Sequence, residues 1–154
     1  MALYYLDASA LVKRYVAEAG SPFVTRLTDP SASNEVWIAS IGTVELMAAL
    51  YRRVNTGMLT PSSAWSAEQA FRGDLHRIFD SIDLNPSILA RGMGLAKLHL
   101  LRAYDAVQLA TAIELQIQRR NLNLALPIFL CADQALNQGA LAEGLLVDDP
   151  NRYP

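Results

Sequence analysis

The stretch LYYLDASALVKRYVAE, residues 3–18, sets an aspartate where a short apolar run gives way to a helical pattern. Residues 2–6, ALYYL, are apolar and aromatic, the composition of a buried strand. From Ala8 the period changes: Leu11, Val12, Tyr15 and Val16 fall on one face of a helix over ASALVKRYVAEAG, with Gly20 as its stop. Asp7 stands at the join. A carboxylate there either caps the helix by accepting its orphan N–H groups or carries chemistry, and this stretch alone does not separate the two.

The same alternation continues along the chain. SPFVTRLTD predicts a short helix, with Ser21 at its N-cap and Pro22 in its first position. Residues 29–34 are a loop, EVWIAS (35–40) is a second strand, and IGTVELMAALYRRVNTG is a helix closed by Gly57. Thr60 and Pro61 open a long polar helix through SSAWSAEQAFRGDLHRIFD, followed by a short strand, SIDL (81–84). Asn85 and Pro86 begin a helix through SILARGMGLAKLHL, and AYDAVQLATAIELQIQRR (103–120) is another, ending on an arginine pair. PIFLCA (127–132) is a strand, DQALNQGALAEG a short helix and LLVDD (145–149) a last strand. Short apolar runs alternating with helices predict an α/β fold, a mainly parallel central sheet with helices on both faces. With no linker, repeat or low-complexity segment, residues 1–154 are expected to form one domain.

Hydrophobic residues make up 52% of the chain and charged residues 18%, which fits a packed core rather than disorder. No apolar run approaches the roughly 18 residues that span a bilayer, and MALYYLDASA lacks the basic start of a signal peptide. Cys131 is the only cysteine, so no internal disulfide forms and a reducing cytoplasm is the expected setting. The net charge of −2 argues against a basic coat for nucleic acid. It leaves room for an enzyme that holds a phosphodiester through metal ions and a few arginines.

The carboxylates supply the second half of that idea. Asp7 ends the first strand, Glu45 lies early in the helix after the second, Asp105 opens the helix at 103, and Asp133 follows PIFLCA. In a parallel sheet the carboxyl ends of strands and the amino ends of the following helices share one edge, where ligand crevices form. Each of these acids is embedded among apolar or small residues, whereas Glu68, Asp74, Asp148 and Asp149 have the surroundings of solvated groups. Each alone also reads as a helix cap or a first-turn dipole residue. Together they would repel, and a divalent cation relieves that repulsion far more than helix ends do. Oxygen ligands without histidine or cysteine suit Mg²⁺ or Mn²⁺ rather than zinc, and such ions support phosphodiester hydrolysis. Ser9 either orients the Asp7 carboxylate or a metal-bound water, or is a plain first-turn hydroxyl.

YLDASALVKRY, TVELMAAL, LRAYDAVQLATA and FLCADQALNQGALAEGLLVDDP resemble, in order and spacing, the four acidic motifs of PIN-domain ribonucleases. The closest resemblance is to VapC-type toxins of prokaryotic toxin–antitoxin modules, and it covers essentially the whole chain. It implies a three-layer α/β/α PIN-like domain and a metal-binding role for Asp7 and Asp105. Glu45 and Asp133 take the positions of its further active-site acids. It further implies endoribonuclease activity dependent on Mg²⁺ or Mn²⁺, a homodimer, and a cognate VapB-like antitoxin as partner. The polar region 58–80 has no role in the resemblance. Two other readings stand beside it: a PIN-like module without a toxin role or catalysis, and a phosphomonoesterase or phosphotransferase using Asp7 as nucleophile. The second usually has another aspartate two residues on, where this chain has Ser9.

Arg102, Lys13 and Arg14 are the main candidates for contact with RNA phosphates, with Arg52, Arg53 and Lys97 beside them. Each is also readable as a solvated helix-face residue, and Arg102 as a partner of one of the acids. Tyr104 and Trp37 are candidates for base stacking or for core packing. His76 and His99 have no part in a hard-ion site.

Overall fold

The computed structural model describes residues 1–154. Its frame is a sheet of β1 (Leu3–Leu6), β2 (Glu35–Ala39), β3 (Phe79–Ile82), β4 (Ile128–Leu130) and β5 (Leu146–Asp148). The strand order is β3-β2-β1-β4-β5, and every neighbouring pair is parallel. β1 is central, with Tyr5 opposite Trp37 on one side and Phe129 on the other. The chain builds outward from β1 in one direction through β2 and β3, then crosses back to add β4 and β5 on the other side. The connections leaving β1 and β4 therefore diverge, and such a switch point opens a crevice beyond the carboxyl ends of the strands.

Seven helices cover the sheet: α1 (Ala8–Leu11), α2 (Ser21–Leu27), α3 (Ile41–Asn55), α4 (Pro61–Asp74), α5 (Pro86–His99), α6 (Ala103–Asn121) and α7 (Gln134–Ala142). The pleat of the strands sorts the core into two faces. Tyr5 and Phe129 point toward α5, α6 and α7, where Ile88, Leu109 and Leu136 meet them. Leu6, Ile38 and Leu130 point the other way, into Leu11, Val24, Leu46, Leu50 and Phe71 from α1 to α4. The result is the three-layer α/β/α arrangement, with the sheet wholly parallel.

Three stretches differ from the sequence expectations. The helix expected to run from Ala8 to Gly20 stops at Leu11 and tightens into a 3₁₀ turn over Val12–Arg14. Lys13 and Arg14 then reach inward to Glu18 and Asp74. The helix after Pro61 ends at Asp74, and the third strand starts at Phe79 rather than 81, because Phe79 is the residue that fills the core opposite Val36. The 29–34 loop contains a 3₁₀ turn, Pro30–Ala32, capped by Asp29. Gly20 itself has left-handed backbone, and a Cβ there would lie 2.4 Å from the Pro150 carbonyl oxygen. Only glycine lets the chain end fold against the start of α2.

Candidate active site

Asp7 leaves β1 directly into the crevice and caps α1. Its Oδ1 accepts the Ala10 N–H at 3.0 Å and the Ser9 hydroxyl at 2.7 Å. Ser9 Oγ also accepts the Ala132 N–H at 2.9 Å, so one hydroxyl joins the segments leaving β1 and β4. The two roles open to Asp7 are therefore compatible: it caps a helix and also lines the crevice. Asp133 repeats the device one strand over, its Oδ1 accepting the Leu136 N–H at 2.9 Å at the start of α7. Glu45 projects from α3, half-buried, with its Oε1 2.7 Å from Gln108 Nε2. Asp105 sits in the first turn of α6, also half-buried.

Asp7, Glu45, Asp105 and Asp133 all line one open cleft of about 400 Å³, together with Ser9, Arg52, Arg53, Arg102 and Tyr104. Their electrostatics follow from crowding and burial. Burial pushes the Asp7 carboxyl up to about 6, against the bonds from Ser9 and Ala10. Glu45 is pushed up to about 7, by burial first and then by the charges of Asp7 and Asp105, with the Gln108 bond acting the other way. Asp105 is held above its usual range by burial and by Asp133, while Arg102 pulls it back. Burial and mutual repulsion thus disfavour the ionised form of these carboxyls even with three arginines on the rim, and a bound cation would relieve that cost.

The donor set fits a hard ion. No three His, Cys, Asp or Glu side chains stand close enough to enclose an ion unaided. What suits Mg²⁺ or Mn²⁺ is the chemistry of the lining, four carboxylates with no histidine or cysteine, since these ions prefer oxygen and Mg²⁺ takes one or two carboxylates and keeps several waters. It does not suit a structural zinc site.

No family model matches the chain. Ribonuclease VapC45 of Mycobacterium tuberculosis is 32% identical to it over 113 residues, which is 73% of this chain and 76% of that protein. The chain belongs to the VapC-type PIN ribonucleases. Solved structures of low identity share the fold. VapC20 of M. tuberculosis, described as a sarcin–ricin-loop-cleaving toxin, aligns with a TM-score of 0.62 at 16% identity over 99% of this chain and all of its own. A toxin–antitoxin complex from Klebsiella pneumoniae aligns at 0.59 and 18% identity, covering 96% of this chain and 97% of that one.

Against that VapC frame, the residues named from sequence separate into two groups. The acids, Ser9, Arg102, Arg52, Arg53 and Tyr104 line the cleft, although Arg53 is already paired with Glu18 at 3.0 Å. Lys13 and Arg14 do not line it; their charged ends are spent on partners within the chain. Lys13, 5% exposed, bonds Glu18 at 3.1 Å and the Ala19 carbonyl at 2.8 Å. Arg14 bonds Asp74 at 3.0 Å and Thr28 at 2.7 Å. Asp74 is correspondingly not solvated: it is buried and also held by Tyr15 and Arg77. Trp37 packs on the core beside Tyr5 and Phe129 instead of facing RNA. Sequence reasoning missed Gln108 and Tyr5, whose hydroxyl donates to Gln108 Oε1 at 2.6 Å. The available signal was a glutamine among the small and apolar residues of DAVQLATA, three positions after Asp105 and so on the same helix face.

Proposed function

We propose that this protein is a divalent-metal-dependent endoribonuclease that hydrolyses RNA phosphodiester bonds, and the toxin of a VapBC-type pair. The observation that carries this reading is the meeting of Asp7, Glu45, Asp105 and Asp133 on one cleft. Asp7 and Asp105 would hold Mg²⁺ or Mn²⁺, which supplies charge neutralisation for the phosphate and a water acidic enough to attack near neutral pH. Glu45 and Asp133 complete the cluster and help orient the attacking water. Arg102 offers a guanidinium fork to the phosphate backbone. Tyr104, 56% exposed, offers a ring face on which a base can stack.

The solved relative from Klebsiella pneumoniae is a toxin–antitoxin complex, which supports a VapB-like antitoxin as partner. Exposed Leu89 and Met93 on α5 support a homodimer, since apolar side chains left bare on one helix favour association. One sheet with a core on each face supports reading residues 1–154 as one domain. No helix is long and apolar enough to cross a membrane, and the one cysteine is free and buried, which supports a place in the cytoplasm. Purified protein should cut single-stranded RNA when Mg²⁺ or Mn²⁺ is added and stop when EDTA is added. Cleavage indifferent to the chelator contradicts the reading.

A further inference from the structure

We propose that Gln108 is a positioning residue: backed by Tyr5, it holds Glu45 in the orientation that the cleft uses. The inference rests on the ribonuclease reading of that cleft and goes beyond its acidic residues. Gln108 is 1% exposed and Tyr5 fully buried, yet both spend their polar atoms on a single chain of bonds. Tyr5 Oη donates to Gln108 Oε1 at 2.6 Å, and Gln108 Nε2 donates to Glu45 Oε1 at 2.7 Å.

The direction of this chain is set by what each group can do. A phenol is protonated at neutral pH and donates, so the amide turns its carbonyl oxygen toward Tyr5. The NH₂ is thereby aimed at Glu45, whose carboxyl offers it an accepting oxygen whether or not it holds a proton. A flipped amide would turn its NH₂ toward the phenol and give up the bond that the Tyr5 hydroxyl donates. The amide is therefore locked, and it selects one rotamer of a long side chain that otherwise has three free torsions. Tyr5 is itself fixed, stacked on Phe129 with centroids 5.7 Å apart and planes 14° apart.

The origin of the residues matters as much as their bonds. Tyr5 is on β1 two residues before Asp7, Gln108 is on α6 three residues after Asp105, and Glu45 is on α3. One buried chain thus ties together the three elements that bring those acids to the cleft. A core position with no task beyond packing would be served by Met or Leu at 108 and Phe at 5, without the desolvation that buried polar atoms incur.

Two readouts test this. In ¹⁵N–¹H spectra, the Gln108 side-chain amide pair, identified by its absence in Gln108→Met, should shift in both Glu45→Ala and Tyr5→Phe; a pair unmoved in both overturns the proposal. This readout needs neither RNA nor metal, so it decides the bonds even if wild-type protein fails to cleave RNA, a result that would refute the ribonuclease reading alone. In single-turnover cleavage, Gln108→Met should lower the rate by about 10–100-fold, the usual effect of losing an orienting partner. It should have little further effect in a Glu45→Ala background. A loss that persists in full in that background marks a merely structural residue and overturns the proposal. Should Gln108→Met not fold, Tyr5→Phe, which removes one oxygen, takes its place in the same cycle.

Discussion

Ser9 Oγ stands 2.7 Å from Asp7 Oδ1 and donates to it, while accepting the Ala132 N–H from the far side of the crevice. One hydroxyl thus fixes the acid after β1 and the backbone after β4 together. Ser9→Ala strands the Ala132 amide and should destabilise the protein by about 1–2 kcal/mol, read by chemical denaturation. It should also slow RNA cleavage roughly tenfold, through a less well held Asp7. Ser9→Thr, which keeps the hydroxyl, should recover most of both losses. An alanine variant with full activity contradicts the orienting role.

Asp7 makes stability depend on pH. Its folded value is raised to about 6, against roughly 4 in the unfolded chain. Between those values the folded state holds a proton that the unfolded state releases, so this contribution is present at low pH and lost as pH rises through 4 to 6. Asp7→Asn keeps the Oδ1 that caps α1 and never carries the charge. Without divalent ions it should be more stable than wild type at pH 8 by up to about 3 kcal/mol. That corresponds to roughly 5–10 °C in Tm, with near equality at pH 4. The same difference at both pH values contradicts the burial argument.

A cation should reverse that penalty. At pH 8, saturating Mn²⁺ or Mg²⁺ should raise the wild-type Tm, with about 2.7 kcal/mol expected at a hundredfold excess over Kd. Asp7→Asn and Asp105→Asn should gain much less. A wild-type Tm that ignores both ions removes the metal site.

The arginines should divide by location. Arg102→Ala should leave Tm unchanged, weaken RNA binding and lower its salt dependence by roughly one phosphate contact. Arg14→Met should do the opposite, costing about 1–2 kcal/mol because buried Asp74 and Thr28 lose a charged donor while Arg77 and Tyr15 stay on Asp74, with cleavage per folded molecule retained. A salt slope changed by Arg14→Met would mark Arg14 as an RNA contact and contradict this division.

What could be read from the sequence was local. The period of apolar residues locates the strands and helices, and the parallel alternation places Asp7, Glu45, Asp105 and Asp133 at one edge. Pairings across long separations were not legible. Asp74 looked solvated because RGDLHR surrounds it with charge, yet its partner Arg14 lies 60 positions away. Gln108 looked like one more residue of an Ala-rich helix, since Glu45 is 63 positions distant. Lys13 and Arg14 fit the continued period through Val16, and only the 3₁₀ turn at Val12–Arg14 redirects them inward. Local pattern fixes which elements form, whereas the choice of polar partners is made by the packing.

The most direct test of the convergent acidic cleft is the cleavage of one fixed RNA oligonucleotide, in the same Mn²⁺ concentration, by wild type and by Asp105→Asn. Wild type should cut, and the variant, melting normally, should be slower by about 10²-fold or more, as expected when charge stabilisation at the reacting phosphate is lost. Equal rates for the two proteins would contradict it.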